Sequence, residues 1–282
     1  MNTLKVGFLL VALTALFVTI GHLVGGTGGM IIAFGLALAM NFGSYWFSDK
    51  LVLRMTGAQP VTPEQAPELY AMTERLAQRA DIPMPRLYIV EDPSPNAFAT
   101  GRNPQNGVVA VHTGLLDILN KPEVEGVIAH ELAHIKHRDT LTMAIVASVA
   151  GGVMMLASFA RFAAIFGGGN DEEGGNPLVL LLVSIFAPVA ALLVQMGVSR
   201  SREFEADRMG AEIAGSGRGL ASALLQLESG VDAIPGHTPP QAAHMCIINP
   251  LASMSGLMNL FRTHPATADR VKKLREWEKN RS

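Results

Sequence analysis

His130-Glu131-Leu132-Ala133-His134 sets two imidazoles one helical turn apart, with a carboxylate beside the first. Residues i and i+4 share a helix face, so both rings can bind one ion. Zinc suits this donor set, being borderline-soft and tetrahedral, with one position left open for chemistry. Glu131 can then take a proton from a water that the ion activates. The competing reading is a chance match on a surface helix, and a third ligand would decide between them.

A metzincin continuation would need Gly at 137 and His at 140, where this chain has His137 and Thr140. His137 stands between Lys136 and Arg138 and fits a basic cluster more simply than a ligand. A carboxylate from a separate helix remains, and Ser199-Arg200-Ser201-Arg202-Glu203-Phe204-Glu205-Ala206-Asp207 supplies it. Glu203 and Asp207 lie four apart on one face. One can bind the metal while the other holds a ligand imidazole from behind. Glu205 is rotated by roughly 200° from Glu203 at 3.6 residues per turn and reads as a solvated charge. The pairing with Asp207 favours Glu203 over Glu205 and leaves the choice open.

The elements that must position these groups belong to a membrane protein. Of 282 residues, 49% are apolar and only 16% charged, against about 25% charged in soluble chains. This excludes disorder, a disulfide scaffold and a collagen-like fibre. A net charge of −2 offers no broad basic face, so no nucleic acid is expected. The single Cys246 cannot form an intramolecular disulfide and fits a reducing compartment.

Four stretches approach the roughly 20 apolar residues that cross a bilayer: 6–24, 30–47, 141–166 and 178–198. A cleaved signal peptide is the alternative for the first, but it is too long for one and a second stretch follows at once. Arg161 and Pro188 interrupt the second pair, so packing into the protein or partial insertion stays open there. The connections 25–29 and 167–177 hold no Lys or Arg, whereas Lys5, Lys50, Arg54, Lys136, Arg138, Arg200 and Arg202 mark the other ends. Basic residues stay on the cytoplasmic side, so both termini and the polar segments are expected there.

The chain thus divides into two amino-terminal transmembrane helices over 1–47, a discontinuous cytoplasmic domain over 48–140 and 199–282, and a second hydrophobic pair over 141–198. Thr62-Pro63-Glu64 predicts a helix start, with Leu69, Met72 and Leu76 on its apolar face. Arg86–Val90 and Val108–Val111 predict strands, with turn clusters between them. Helices are expected over Pro122–Arg138, about Met196–Ala214 and Asp269–Lys279. Val108–His112, with Val109 and Val111, reads either as an edge to which an extended substrate adds or as a buried core strand. The fold class is α+β, mostly helical.

These features together resemble the HtpX family of membrane-bound zinc metalloproteases, relatives of the CAAX prenyl endopeptidases. The resemblance covers nearly the whole chain. It rests on the four hydrophobic segments, the two metal-binding motifs, Asn96-Ala97-Phe98-Ala99-Thr100-Gly101, and His264-Pro265 followed by Arg270. Ala266 departs from the Pro-Pro of many relatives. The resemblance implies a gluzincin-like metalloprotease domain with four transmembrane helices and one zinc ion (Zn2+) per chain. It makes His130, His134 and Glu203 the ligands and Glu131 the catalytic base. His264 becomes the candidate oxyanion donor, although His264-Pro265 also reads as an ordinary turn. Arg270 would orient His264 or bind substrate backbone, and Asn96 would lie near the site. The site would face the cytosol of a bacterial inner membrane, in stress-related quality control of misfolded membrane proteins embedded in the lipid bilayer. Two other readings compete: a prenyl-protein endopeptidase of the same mechanism, and a catalytically silent scaffold with structural zinc.

Overall fold

The computed structural model describes residues 2–143, 145, 200–233, 246–247 and 265–281. Most of the hydrophobic segment 141–198, with its acidic connection, lies outside the described residues, as does His264. Among the described residues one stretch, Gly26–Phe47, is long and apolar enough to cross a membrane.

That stretch belongs to α1 (Asn2–Met55), which is not straight. At about 1.5 Å rise per residue, positions 31 apart would sit about 46 Å apart. Asn41 Nδ2 nevertheless donates to the Leu10 carbonyl at 3.2 Å and to Thr14 Oγ1 at 2.8 Å. The element is therefore a hairpin of two helical arms. Its reversal falls in the glycine-rich stretch 25–29, where Gly26 takes φ +57°, a conformation that side chains with a Cβ rarely adopt.

A four-stranded sheet follows, formed by β1 (Gln59–Pro60), β2 (Arg86–Val90), β3 (Ala97–Thr100) and β4 (Val108–His112). Its order is β1-β2-β4-β3. β2 and β4 are parallel, with Leu87 opposite Val109, while β3 runs antiparallel to β4, with Ala99 opposite Val109. β4 is therefore an interior strand with both edges paired, and all five of its residues are buried. This corrects the edge reading: Val109 and Val111 belong to the core and cannot pair with a substrate. A continuous apolar run without alternation is what burial on both faces requires.

Helix α2 (Pro67–Ala80) begins later than Thr62-Pro63 suggests. Residues 62–66 form a turn, with the Thr62 carbonyl accepting from the amides of Gln65 and Ala66. Leu69, Met72 and Leu76 face the core. The short α3 (Thr113–Ile118) leads into α4 (Lys121–Lys136). Asn120 and Glu123 form a reciprocal capping box at its start, each side chain accepting from the other's amide. Twelve of its residues are buried, so α4 is a central helix and not a surface one.

Around α4 pack α5 (Arg200–Ala214), α6 (Arg218–Ala233), α2 and β3, with α7 (Thr267–Arg281) closing on α5 and α6. Two glycines permit close approaches to α4. A Cβ at Gly126 would lie 2.4 Å from the Leu220 amide nitrogen, and one at Gly210 would lie 3.0 Å from the backbone of His130. The second brings α5 against α4 at the residue that matters most for chemistry.

Candidate metal centre

His130 and His134 project from α4 toward each other, Nε2 to Nε2 at 3.2 Å. Glu203, in the first turn of α5, brings Oε1 to 3.7 Å from His134 Nε2 and Oε2 to 3.9 Å from His130 Nε2. All three side chains are buried, and together they form a group able to hold a metal ion. The 3.2, 3.7 and 3.9 Å separations compare with about 3.3–3.4 Å between ligand atoms around a tetrahedral zinc with bonds of about 2.0–2.1 Å. The residues fit the ion.

A carboxylate stands behind each imidazole. Asp207 Oδ1 lies 3.0 Å from His130 Nδ1, and Asp139 Oδ2 lies 3.3 Å from His134 Nδ1. A carboxylate at Nδ1 draws the ring proton there and leaves Nε2 as a lone pair facing the ion site. Arg270 backs Asp207 in turn. Its Nε donates at 2.8 Å and Nη2 at 2.6 Å, one to each carboxylate oxygen, while Nη1 donates to the Ile247 carbonyl at 3.0 Å. This fork-to-fork pairing uses the geometry that a lysine lacks. Arg202 Nε reaches Asp139 Oδ1 at 3.7 Å.

These neighbours shift the titration of the ion-free site. Burial, with the nearby His134 and Arg270, holds His130 down at about 4 against the pull of Asp207. For His134 burial works the same way, but Asp139, Glu203 and Glu131 outweigh it and lift the group to about 9. Burial would raise Asp207, yet the Arg270 guanidinium wins and holds it at about 2. Glu131 is buried and pushed up to about 7 by desolvation, reinforced by Glu203 and opposed by His134 and Arg270. The Ala99 backbone, in β3, the terminal strand of the sheet, adds a smaller downward pull.

Of the residues singled out in the sequence, the structure brings together His130, Glu131, His134, Glu203, Asp207 and Arg270. Arg270 is enclosed and engaged by Asp207 and Ile247, which sets it behind the site and not on a substrate path. Asn96 is buried at the start of β3, its side-chain oxygen accepting from Ala97 N and its carbonyl from His112 N. Glu205 is exposed and pairs with Arg208 at 2.6 Å. His137 caps the end of α4, outside the metal group. Sequence reasoning missed Asp139, Gly210 and Ile247. The one available signal was Asp139, an acid closing the basic run 136–138.

Comparison with known proteins agrees with this geometry. The model of peptidase family M48 matches residues 63–278. A protease HtpX homolog of Methylibium petroleiphilum is 52% identical over 97% of this chain and 96% of its own length. One from Burkholderia thailandensis is 51% identical over 98% and 96%. The crystal structure of S. mikatae Ste24p is a remote likeness, with TM-score 0.49 and 16% identity, covering 97% of this chain and 64% of that one. With a family match across both halves of the metal centre and half-identical relatives along nearly its full length, this chain belongs to peptidase family M48, among the HtpX proteases, and is a metalloprotease.

Proposed function

We propose that this chain is a zinc endopeptidase of the bacterial inner membrane that cleaves misfolded or damaged membrane proteins on the cytoplasmic side. His130, His134 and Glu203 hold the zinc, Glu131 is the base, and four helices anchor the domain in the bilayer. The observation that carries the reading is the convergence of two imidazole Nε2 atoms and one carboxylate, each imidazole backed by its own acid. A structural site needs no base, yet Glu131 is buried beside this one, with its carboxyl pushed up to about 7.

When bound, zinc supplies Lewis acidity to the scissile carbonyl and to the attacking water. Glu131 accepts the proton from that water and delivers it to the leaving amine. Asp207 and Asp139 keep both imidazoles in the ligating tautomer, and Arg270 keeps Asp207 ionised. An extended substrate adds beside β3, close to Glu131, in place of the interior β4. His264 completes the site as oxyanion donor.

The membrane assignment is supported by Gly26–Phe47 and by its outward apolar side chains: Ile31, Ile32, Leu38 and Phe42 are all at least half exposed. So large an apolar surface is costly in water and suited to lipid. The deciding experiment measures zinc stoichiometry and cleavage of an unfolded membrane protein for wild type beside Glu131→Gln. Zinc retained with cleavage lost supports the reading. Cleavage by the variant, or a wild type that binds no zinc, overturns it.

A further inference from the structure

Where α1 leaves its apolar stretch, a recess of about 540 Å³ opens between the helix and the sheet domain, away from the metal centre. Phe42, Trp46 and Phe47 line the helix side, at the end of Gly26–Phe47. Lys50, one turn further along, and Arg86 and Arg102, from the sheet domain, supply three cations. Among the described residues Asp49 is the single carboxylate lining it, and it already pairs with Arg86 at 3.0 Å. Lys50 and Arg102 are therefore not compensated within the recess.

Both are held against aromatic faces. The Arg102 guanidinium lies 4.7 Å from the Trp46 ring centre, and Lys50 Nζ lies 5.6 Å from that of Phe47. Stacking occupies the face of a guanidinium and leaves its in-plane N–H donors for an anion. It also occupies one face each of Trp46 and Phe47, where a choline or ethanolamine ammonium would otherwise sit. With the carboxylate already paired to Arg86, the recess offers more to an anion than to the positive end of a zwitterionic headgroup.

Aromatic residues followed at once by basic ones mark the boundary between hydrocarbon and water. An occupant must therefore combine an anionic head for Lys50 and Arg102 with an apolar tail for Phe42 and Phe47. We propose that this recess binds the headgroup of one anionic phospholipid of the cytoplasmic leaflet, seating the sheet domain on the membrane surface. The inference rests on the membrane reading above.

Brominated acyl chains quench tryptophan on contact, and the Trp46 signal is isolated by subtracting the emission of Trp46→Phe, which retains Trp277. The full chain is reconstituted in two bilayers of matched bromine content. One holds brominated phosphatidylglycerol in plain phosphatidylcholine, and the other holds brominated phosphatidylcholine in plain phosphatidylglycerol. Enrichment of roughly fivefold per surface cation predicts much stronger quenching in the first. The paired change Lys50→Gln with Arg102→Gln should bring the two bilayers level. Equal quenching of wild type in both, or a preference that survives the paired change, overturns the lipid site and leaves the membrane reading standing. No quenching in either bilayer overturns both.

Discussion

His134 and Asp139 meet Nδ1 to Oδ2 at 3.3 Å, although α4 has ended between them. The chain makes the contact by turning back on itself at Arg138, which takes φ +58°. Asp207 does the same for His130 from another helix, so the two imidazoles are supported from opposite sides of the chain's long excursion. Asp139→Ala should weaken zinc binding by about 10- to 100-fold without abolishing it, as loss of an outer support does. Asp139→Asn, which keeps an acceptor oxygen, should recover part of that loss. Competition against a calibrated chelator measures both, and unchanged affinity in Asp139→Ala would remove the support role.

Glu203 and Glu205 differ in burial and should differ in consequence. Glu203→Ala takes away a ligand oxygen and should leave almost no zinc in the purified protein. Glu205→Ala exposes nothing and breaks only a surface pair with Arg208, a change expected within about 0.5 kcal/mol. Metal analysis of the two proteins side by side tests this, and the reverse pattern would reassign the ligand.

Glu131→Gln is nearly the same size and keeps one acceptor oxygen, but the amide cannot take up a proton. Zinc content should stay at the wild-type level while peptide cleavage falls by about 10²–10⁴-fold, the usual worth of a positioned base. Single-turnover cleavage with a zinc assay on the same sample separates the two effects.

Arg270 neutralises Asp207 directly and stands 3.9 Å from Glu203. Arg270→Ala would leave buried carboxylate charge without its partner, a loss of about 3–5 kcal/mol. Arg270→Lys keeps the charge and loses the fork, so it should fall between. Thermal unfolding of the zinc-loaded protein in detergent should rank wild type above Lys above Ala. Equal melting of all three would show that the ion pair is not holding α7 to α5.

What was legible in the sequence follows the range of the interaction involved. The His-Glu-x-x-His pair is set by helical spacing, so residue type and interval suffice there, while spacing favours Glu203 with Asp207 over Glu205 without deciding between them. Arg86–Val90 and Val108–His112 are dense in apolar and β-branched residues and read as strands. Ala97-Phe98-Ala99-Thr100 is only four residues long, half of them alanine, and lies between two turn clusters, so local preference alone does not mark β3 and pairing with β4 forms it. The place of β4 in the sheet depends on the partner strands at both its edges, which no single segment reveals. Gly210 inside a helix reads only as a propensity cost until the backbone of His130 is found against it. Asp139 was hidden by its basic neighbours, because its role depends on one residue in a left-handed conformation.

The order in which the chain is synthesised gives this arrangement a further meaning. The two imidazoles, the base and Asp139 leave the ribosome first, then some sixty residues pass before Glu203 and Asp207 emerge, and Arg270 follows later still. Throughout that interval the nascent chain carries two of the three candidate metal ligands and lacks the carboxylate. Hydrolytic competence is therefore withheld while the hydrophobic stretch 141–198 is being made, and a polypeptide stalled before Glu203 displays the candidate base and two imidazoles but no finished protease.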